Sequence, residues 1–191
     1  MTSPCSNKLS RGVVTRNHPI EILFLMTYLY GITLSEEIKR KVTGWLKEES
    51  LFYEEVEDPD TYFNFSIKVA GLSMDVVKDI TREVVLVRST MIFNKDQTKI
   101  LKAMSEKSRE DFFWEVRIRL LTNGEVGAFE IKPDLDKMEV FVQARGIFRD
   151  GLTKDRLLNS VLVVHKSLTM VVWLLEHFSG MTKEEINIFY M

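Results

Sequence analysis

The hydrophobic positions of this chain change their spacing several times, and each change marks a predicted element. Between residues 63 and 69 apolar and polar side chains alternate, as in a strand with one buried face. Ala70-Gly71 then predicts a tight reversal, after which residues 74–78 and 84–93 form two further strands. The last of these is almost continuously apolar, which is typical of the most buried strand of a sheet. A short edge strand over residues 51–56 precedes this meander.

Two helices flank the predicted meander. Thr33 and Glu36 have the spacing of a capping box, which predicts a helix start at Thr33, and apolar residues then recur at helical spacing. Asn94 predicts the start of the next helix, which an Asn-Gly pair ends. The apolar face of this second helix turns by roughly 100° between its two halves. We therefore expect a kink or break near Ser108.

The remaining sequence predicts a two-strand hairpin, residues 126–132 and 138–147, and a long apolar helix over residues 153–178. Apolar residues of this helix follow in alternating steps of four and three, the spacing of a heptad seam. Further apolar residues widen the face beyond what one contact with a sheet uses. The surplus is either core, buried against the sheet and another helix, or an interface with a second copy of the protein. The candidate interface residues are Val163, Leu168, Met170, Val171, Leu174 and Leu175.

Together these elements predict an α+β fold in which helices pack an antiparallel sheet. Residues 33–180 are expected to form a single domain, residues 1–32 a flexible tail with a short apolar segment, and residues 181–191 a tail or short helix. The apolar segment, residues 20–30, follows basic residues as in a signal peptide, but it is too short to span a bilayer and lacks a cleavage pattern. We interpret it as a segment that docks on the domain or its partner. Translation starting at Met26 is the alternative.

Composition and charge limit the function without assigning one. The 191 residues include 26 basic and 28 acidic side chains, so no strong net charge directs the protein to nucleic acid or to an anionic membrane. The single cysteine, Cys5, cannot form an intrachain disulfide, which fits the expected cytoplasmic location. His165 and Lys166 interrupt the final apolar helix, so no membrane span is expected.

Motifs that would indicate catalysis or a cofactor are absent from the sequence. It has no glycine-rich phosphate loop, no nucleophile elbow and no HExxH pattern. His165 and His177 lie about 120° apart on the final helix, too divergent to share a metal ion. We therefore expect no metal, no cofactor and no enzymatic activity, although a small-ligand or catalytic site without a motif is the alternative. Nucleic-acid binding ranks third, because basic residues such as Lys39, Arg40 and Lys41 normally lie on the solvated face of a helix.

The predicted order of elements resembles the type III secretion chaperone fold and the prokaryotic, notably archaeal, single-domain families of unknown function that share it. The resemblance covers roughly residues 33–180 and includes the meander, the hairpin and the closing helix. Such proteins are small cytoplasmic α/β sandwiches, commonly dimers, that bind other polypeptides through apolar surface. The resemblance therefore implies a homodimeric, chaperone-like adaptor that binds a protein or peptide. Secretion chaperones are typically strongly acidic and this chain is nearly neutral, so no functional residue is carried over.

Overall fold

Strands and helices follow one another much as the hydrophobic pattern predicts. The computed structural model describes the backbone of residues 19–179 and the side chains of residues 33–179, so the predicted tails at 1–18 and 181–191 lie outside the described residues. The chain divides into two compact units, residues 1–37 and residues 38–191. In the first unit the described backbone is helical; the second contains the sheet and is described below. The elements are α1 (Pro19–Glu48), β1 (Phe52–Glu55), β2 (Thr61–Val69), β3 (Leu72–Asp79), β4 (Val84–Ile92), α2 (Lys95–Ala103), α3 (Glu106–Thr122), β5 (Val126–Lys132), β6 (Glu139–Ala144), β7 (Ile147–Phe148), a 3-10 turn (Arg149–Gly151) and α4 (Lys154–Ser179).

All strand pairs are antiparallel, which confirms the predicted α+β class. The strand order across the sheet is β1-β2-β3-β4-β6-β5. Strand β4 is central, since it pairs with β3 along one side and with both β6 and β7 along the other. The meander and the hairpin therefore join into one sheet through β4.

One face of the sheet contributes to the hydrophobic core. Register places Phe65 beside Val76, and Val76 beside Val87, so that buried side chains form rows across the strands. Helix α4 packs on this face against β4 and β6, and α2 and α3 pack beside it. On the opposite face, here called the open face, Asn64 and Val77 are buried, and the other side chains are mainly polar or exposed. They include Lys68, Ser73, Thr90, Glu130 and Lys132.

The heptad seam of α4 is the central part of the core. Its seam residues are buried along almost the whole helix: Leu157, Val161, Val164, Leu168, Val171 and Leu175. At the helix start, Lys154 Nζ lies 2.9 Å from Glu48 Oε2 and 2.6 Å from Glu49 Oε1, which ties α4 to the end of α1. The hydrogen bonds that the Lys154 ammonium donates to Glu49 and Glu48 raise the pKa of Lys154.

The predicted helix start at Thr33 is wrong. Thr33 and Glu36 lie inside α1, which begins at Pro19 and runs without a break to Glu48. A capping residue needs a non-helical backbone ahead of the first turn. Here the backbone of residues 20–30 is already helical, and its carbonyls precede Thr33, so no helix end exists for this residue to cap.

The cap at Asn94 and the break in the next helical region are both present, but the break lies three residues before its predicted position. Asn94 caps α2, because its side chain accepts hydrogen bonds from the backbone N–H groups of Asp96 and Gln97. The Asn94 backbone N–H in turn donates a hydrogen bond to the side-chain oxygen of Gln97. The chain then breaks between α2 and α3, as expected, but at Ser105 and three residues before Ser108. Ser105 Oγ accepts a hydrogen bond from the Ser108 backbone N–H at 3.1 Å, so Ser105 is the cap and Ser108 is its partner.

The second strand of the predicted hairpin divides into β6 and β7. Arg145 leaves the ladder, and its backbone N–H donates to the carbonyl of Glu125. Gly146 passes so close to β4 that a Cβ there would lie 2.6 Å from Val84 Cγ2. The chain thus bends at Arg145-Gly146 and then pairs with the beginning of β4, a corner that apolar periodicity does not encode.

Lys78 is fully buried on the core face, in register with Phe63. Its ammonium donates to the carbonyls of Asp79 (3.2 Å) and Arg82 (3.4 Å) and lies 3.3 Å from Glu83 Oε1. These partners belong to the β3–β4 connection. The buried cation therefore closes this turn, which accounts for its position without a catalytic role.

The β2–β3 turn provides the first testable prediction. Both of its central residues have positive φ, 47° at Ala70 and 83° at Gly71, a conformation that an L-residue with a Cβ adopts at a cost. Ala70→Gly should therefore raise the free energy of unfolding by roughly 0.5–1 kcal/mol. Urea denaturation followed by circular dichroism measures the change.

The matched control is Ala128→Gly, the same substitution at an exposed position of β5 that lacks positive φ. It should lower stability by roughly 0.5–1 kcal/mol, because glycine loses more conformational entropy in a strand. Equal effects at both positions would contradict the strained-turn explanation.

Candidate functional site

The six candidate interface residues on α4 divide into two groups. Leu168, Val171, Leu174 and Leu175 are buried in the core of this chain and present no surface to a partner. The other two, Val163 and Met170, are half-buried and pack against the same core. Most of the surplus apolar face is therefore core, and only its edge is accessible.

Helix α4 is also long and apolar enough, by length and composition, to cross a membrane. However, 44% of its most apolar window is buried inside this chain, in contact with β4, β6 and neighbouring helices. The core helix of a soluble domain meets the same criteria of length and composition. Its packing indicates a core helix of that kind.

Helix α3 is apolar on two opposite sides. Its buried side consists of Phe112, Phe113, Val116 and Leu120. At 100° per residue, Trp114, Ile118 and Leu121 fall within an arc of roughly 60° on the other side. We call these three residues the α3 stripe. The exposed fractions are 64% for Trp114 and 71% for Leu121, with Ile118 half-buried between them.

Charged residues flank the α3 stripe in an ordered way. Glu110 and Asp111 lie toward its N-terminal end, and Arg117 lies toward its C-terminal end. All three are exposed, and the Arg117 guanidinium lies 6.0 Å from the ring centre of Phe113. No ion pair within the described part of the chain involves Glu110 or Asp111. Lys107, also exposed, lies in line with the stripe beyond the two carboxylates, so the N-terminal end carries two acidic groups and one basic group and the C-terminal end carries Arg117.

The α3 stripe was missed by the sequence analysis, although its signal was present. The apolar residues of the buried side alone predict only one face of this helix. Applying the same 100° spacing to Trp114, Ile118 and Leu121 would have shown a second face.

A second cluster of chemistry-bearing residues lies on the open face of the sheet. Arg88 on β4 stands between two carboxylates, with Nη2 3.8 Å from Asp58 Oδ2 and Nε 3.9 Å from Asp75 Oδ2. Partial burial raises the pKa of Asp75; Arg88 opposes this shift and Asp58 adds to it. Nearby in the sheet, Asn64 is only 6% exposed, and its Oδ1 has no hydrogen-bond partner among the described residues. The cluster is a weakly paired, partly desolvated polar site.

Clustered metal ligands are not found in this part of the chain. Among the described residues, no three His, Cys, Asp or Glu side chains come together in a way that could hold a metal ion. His165 is half-buried and His177 exposed, and the ring of His177 packs edge-on against Phe178 at 5.4 Å. The histidines thus give no support to a metal centre.

Comparison with known proteins supplies a family. The profile of the uncharacterized conserved protein family DUF2299 matches residues 38–175, from the C-terminal part of α1 to near the end of α4. The chain belongs to the DUF2299 family. That match contains the α3 stripe, the Asp58–Arg88–Asp75 cluster and all seven strands.

Solved structures extend this comparison. An uncharacterized protein from Methanothermobacter thermautotrophicus is 25% identical, with a TM-score of 0.66, over 75% of this chain and 97% of that one. YbjN from E. coli is 11% identical, with a TM-score of 0.42, over 71% of this chain and 87% of that one, a likeness too weak to support an argument. No curated protein matches the chain.

The comparisons bear on the resemblance stated from the sequence. A family of unknown function with an archaeal structural neighbour is confirmed. The likeness to type III secretion chaperones is not confirmed by these comparisons. For a DUF2299 protein, function must therefore be argued from the geometry of its surfaces.

The open-face cluster yields the second prediction. Because the folded-state pKa of Asp75 is raised, its ionisation opposes folding, and this penalty is absent below the ordinary aspartate range and present at pH 7. Asp75→Asn should therefore stabilise the protein at pH 7, by less than about 1 kcal/mol since the site is partly solvated. Urea unfolding at pH 7 and pH 3 should show that the gain disappears in acid.

Asp79→Asn, on the same strand, is the control, because its expected change in stability at pH 7 has the opposite sign. Hydrogen bonds from the Thr81 hydroxyl and backbone N–H, both 2.6 Å, lower the pKa of Asp79. Its carboxylate stabilises the fold above the ordinary aspartate range, so this variant should be less stable at pH 7 and should approach the wild type in acid. A loss of stability for Asp75→Asn at pH 7 would contradict the role assigned to burial.

Proposed function

We propose that this DUF2299 protein is a non-enzymatic protein-binding module that binds a second copy of itself through the α3 stripe. The observation that carries this proposal is the two-sided apolar character of α3. One side is required by the core, and the other places Trp114 and Leu121 in solvent with Ile118 between them. Exposed apolar side chains that adjoin one another are typical of interaction sites.

The composition of the α3 stripe supports a protein partner. Tryptophan is enriched among residues that contribute most to binding energy, and aliphatic neighbours exclude water from such an anchor. A rigid helix presents these side chains without ordering a loop on binding, which reduces the entropic cost of association. The stripe therefore suits a partner that also presents a rigid apolar face.

The order of charged residues along α3 favours a dimer in which the two α3 helices run antiparallel. If the two helices cross with each Trp114 near the two-fold axis, Asp111 of one copy lies opposite Arg117 of the other, since each is three residues from Trp114. Glu110 adds to the same acidic end. A parallel arrangement would place like charges side by side. The antiparallel arrangement therefore pairs Asp111 with Arg117, and it places Ile118 and Leu121 opposite Glu110 and Lys107, so the apolar contact centres on the two Trp114 side chains.

A dimer of this kind agrees with the chaperone-like adaptor role implied by the sequence resemblance. In that role the cytoplasmic dimer would bind a further protein or peptide. The exposed apolar surface of α3 supports this role.

The two alternative functions, binding of a small ligand and binding of nucleic acid, are supported by fewer observations. A small-ligand site is favoured by a polar hollow near the start of α4. Nucleic-acid binding is less favoured, because Lys39 of the basic helix cluster pairs with Glu55 at 2.6 Å. No reaction is proposed.

The third prediction tests the surface directly. Trp114→Glu should weaken self-association by at least about tenfold, because it replaces an aromatic anchor with a charge that must be desolvated. Multi-angle light scattering over a concentration series measures the dissociation constant.

Trp173→Glu is the matched control, since Trp173 on α4 is 63% exposed and Trp114 is 64% exposed. This variant should keep the wild-type association. A monomeric wild type, or equal weakening by both substitutions, would contradict the assignment of the interface to α3.

The fourth prediction tests the orientation. Arg117→Asp should weaken the dimer by repulsion with the acidic end of the other copy, and adding Asp111→Arg should restore it. Sedimentation equilibrium compares the single and double variants. If the double variant stays as weak as Arg117→Asp, the antiparallel arrangement is wrong even if Trp114 remains essential.

A further inference from the structure

A polar hollow lies between the corner after β6 and the first turns of α4, away from the α3 stripe. Its volume is about 420 Å³, within the range of small-molecule sites. The polar groups on its wall come from separate parts of the chain: Arg145 at the corner, Arg156, Asn159 and Ser160 on α4, and Glu125 before β5.

Ser160 is the most informative residue of this hollow. It is only 8% exposed, and its hydroxyl has no hydrogen-bond partner within the described part of the chain. A helical serine commonly satisfies its hydroxyl with the carbonyl four residues earlier. Its Oγ lines the hollow and is not a fully buried, unsatisfied atom, so it can donate a hydrogen bond to a ligand bound there.

Two guanidinium groups share the wall with this hydroxyl. Arg156 Nη1 donates to the Gly151 carbonyl at 3.3 Å, which anchors the group and leaves its other N–H donors available. Arg145 is exposed and has no ion-pair partner among the described residues, Glu125 included. Two cations against one carboxylate leave the hollow with a net positive charge.

We propose that this hollow binds an oxyanion, a phosphate or carboxylate group, through Arg145, Arg156 and Ser160. Guanidinium groups match the planar geometry of such oxygens. Phe148, 72% exposed, lines the same hollow and offers an apolar wall. The ligand class is therefore a small molecule that carries an oxyanion beside an apolar or aromatic body.

Gly151 provides an internal check on this geometry. A Cβ at Gly151 would clash with Nη1 of Arg156, and the φ of Gly151 is not positive. Gly151→Ala should consequently displace one flexible guanidinium without straining the backbone. It should weaken oxyanion binding while the protein stays folded.

The proposal is independent of the α3 stripe and is tested on the full chain. Amide chemical shifts of ¹⁵N-labelled protein are followed during titration with inorganic phosphate, phenyl phosphate and benzoate. Shifts that saturate around residues 145–160 are expected, with phenyl phosphate binding more tightly than inorganic phosphate because of Phe148. Stronger binding of phenyl phosphate than of benzoate would identify a phosphate ligand, and the reverse order a carboxylate.

Substitutions distinguish a specific binding site from nonspecific electrostatic attraction of anions. Arg145→Ala should weaken binding at least about tenfold. The control Arg149→Ala, which removes a nearby arginine already paired with Asp150, should leave it unchanged. Ser160→Ala should weaken binding and leave the stability of the free protein nearly unchanged, because the hydroxyl it removes meets solvent in the hollow. The proposal is overturned if no probe gives saturating shifts in this region, or if Arg145→Ala and Arg149→Ala have the same effect.

Discussion

The structure depends on one constraint, the burial of a single sheet face by the α4 seam. Because β4 lies at the centre and pairs with β3, β6 and β7, its buried side chains join the meander to the hairpin. Leu168 and Val171 of α4 are fully buried in that core, and α3 packs beside α4. Removing large side chains from such a seam costs about 2–5 kcal/mol each, so the seam cannot be varied freely for function.

Because α4 is committed to the core, surfaces elsewhere must carry recognition. Helix α3 satisfies the core with one side and still holds Trp114 and Leu121 in solvent on the other. The corner at Arg145-Gly146, forced by the close approach to β4, brings arginine side chains to the beginning of α4. Both candidate surfaces are thus consequences of how elements pack around the same sheet.

The periodicity of apolar residues was sufficient to predict the helices and strands, but not where each one ends or which surfaces they expose. The strands, the Ala70-Gly71 turn and the Asn94 cap follow from local patterns and agree with the structure. The Thr33 cap failed because a local motif does not report whether the preceding backbone is already helical. The Asp58–Arg88–Asp75 cluster could not be predicted, since only the strand register and the β1–β2 connection bring these residues together.

The central claim is that two copies meet through antiparallel α3 helices. A spin label at Thr122→Cys, in a Cys5→Ser background, measures the distance between copies by pulsed electron resonance. With Trp114 near the two-fold axis, the labelled positions are separated by sixteen residues of helical rise, which predicts a distance of about 25 Å. A distance distribution centred there would support the account, and a distribution centred far from it, at concentrations where the protein is dimeric, would contradict it.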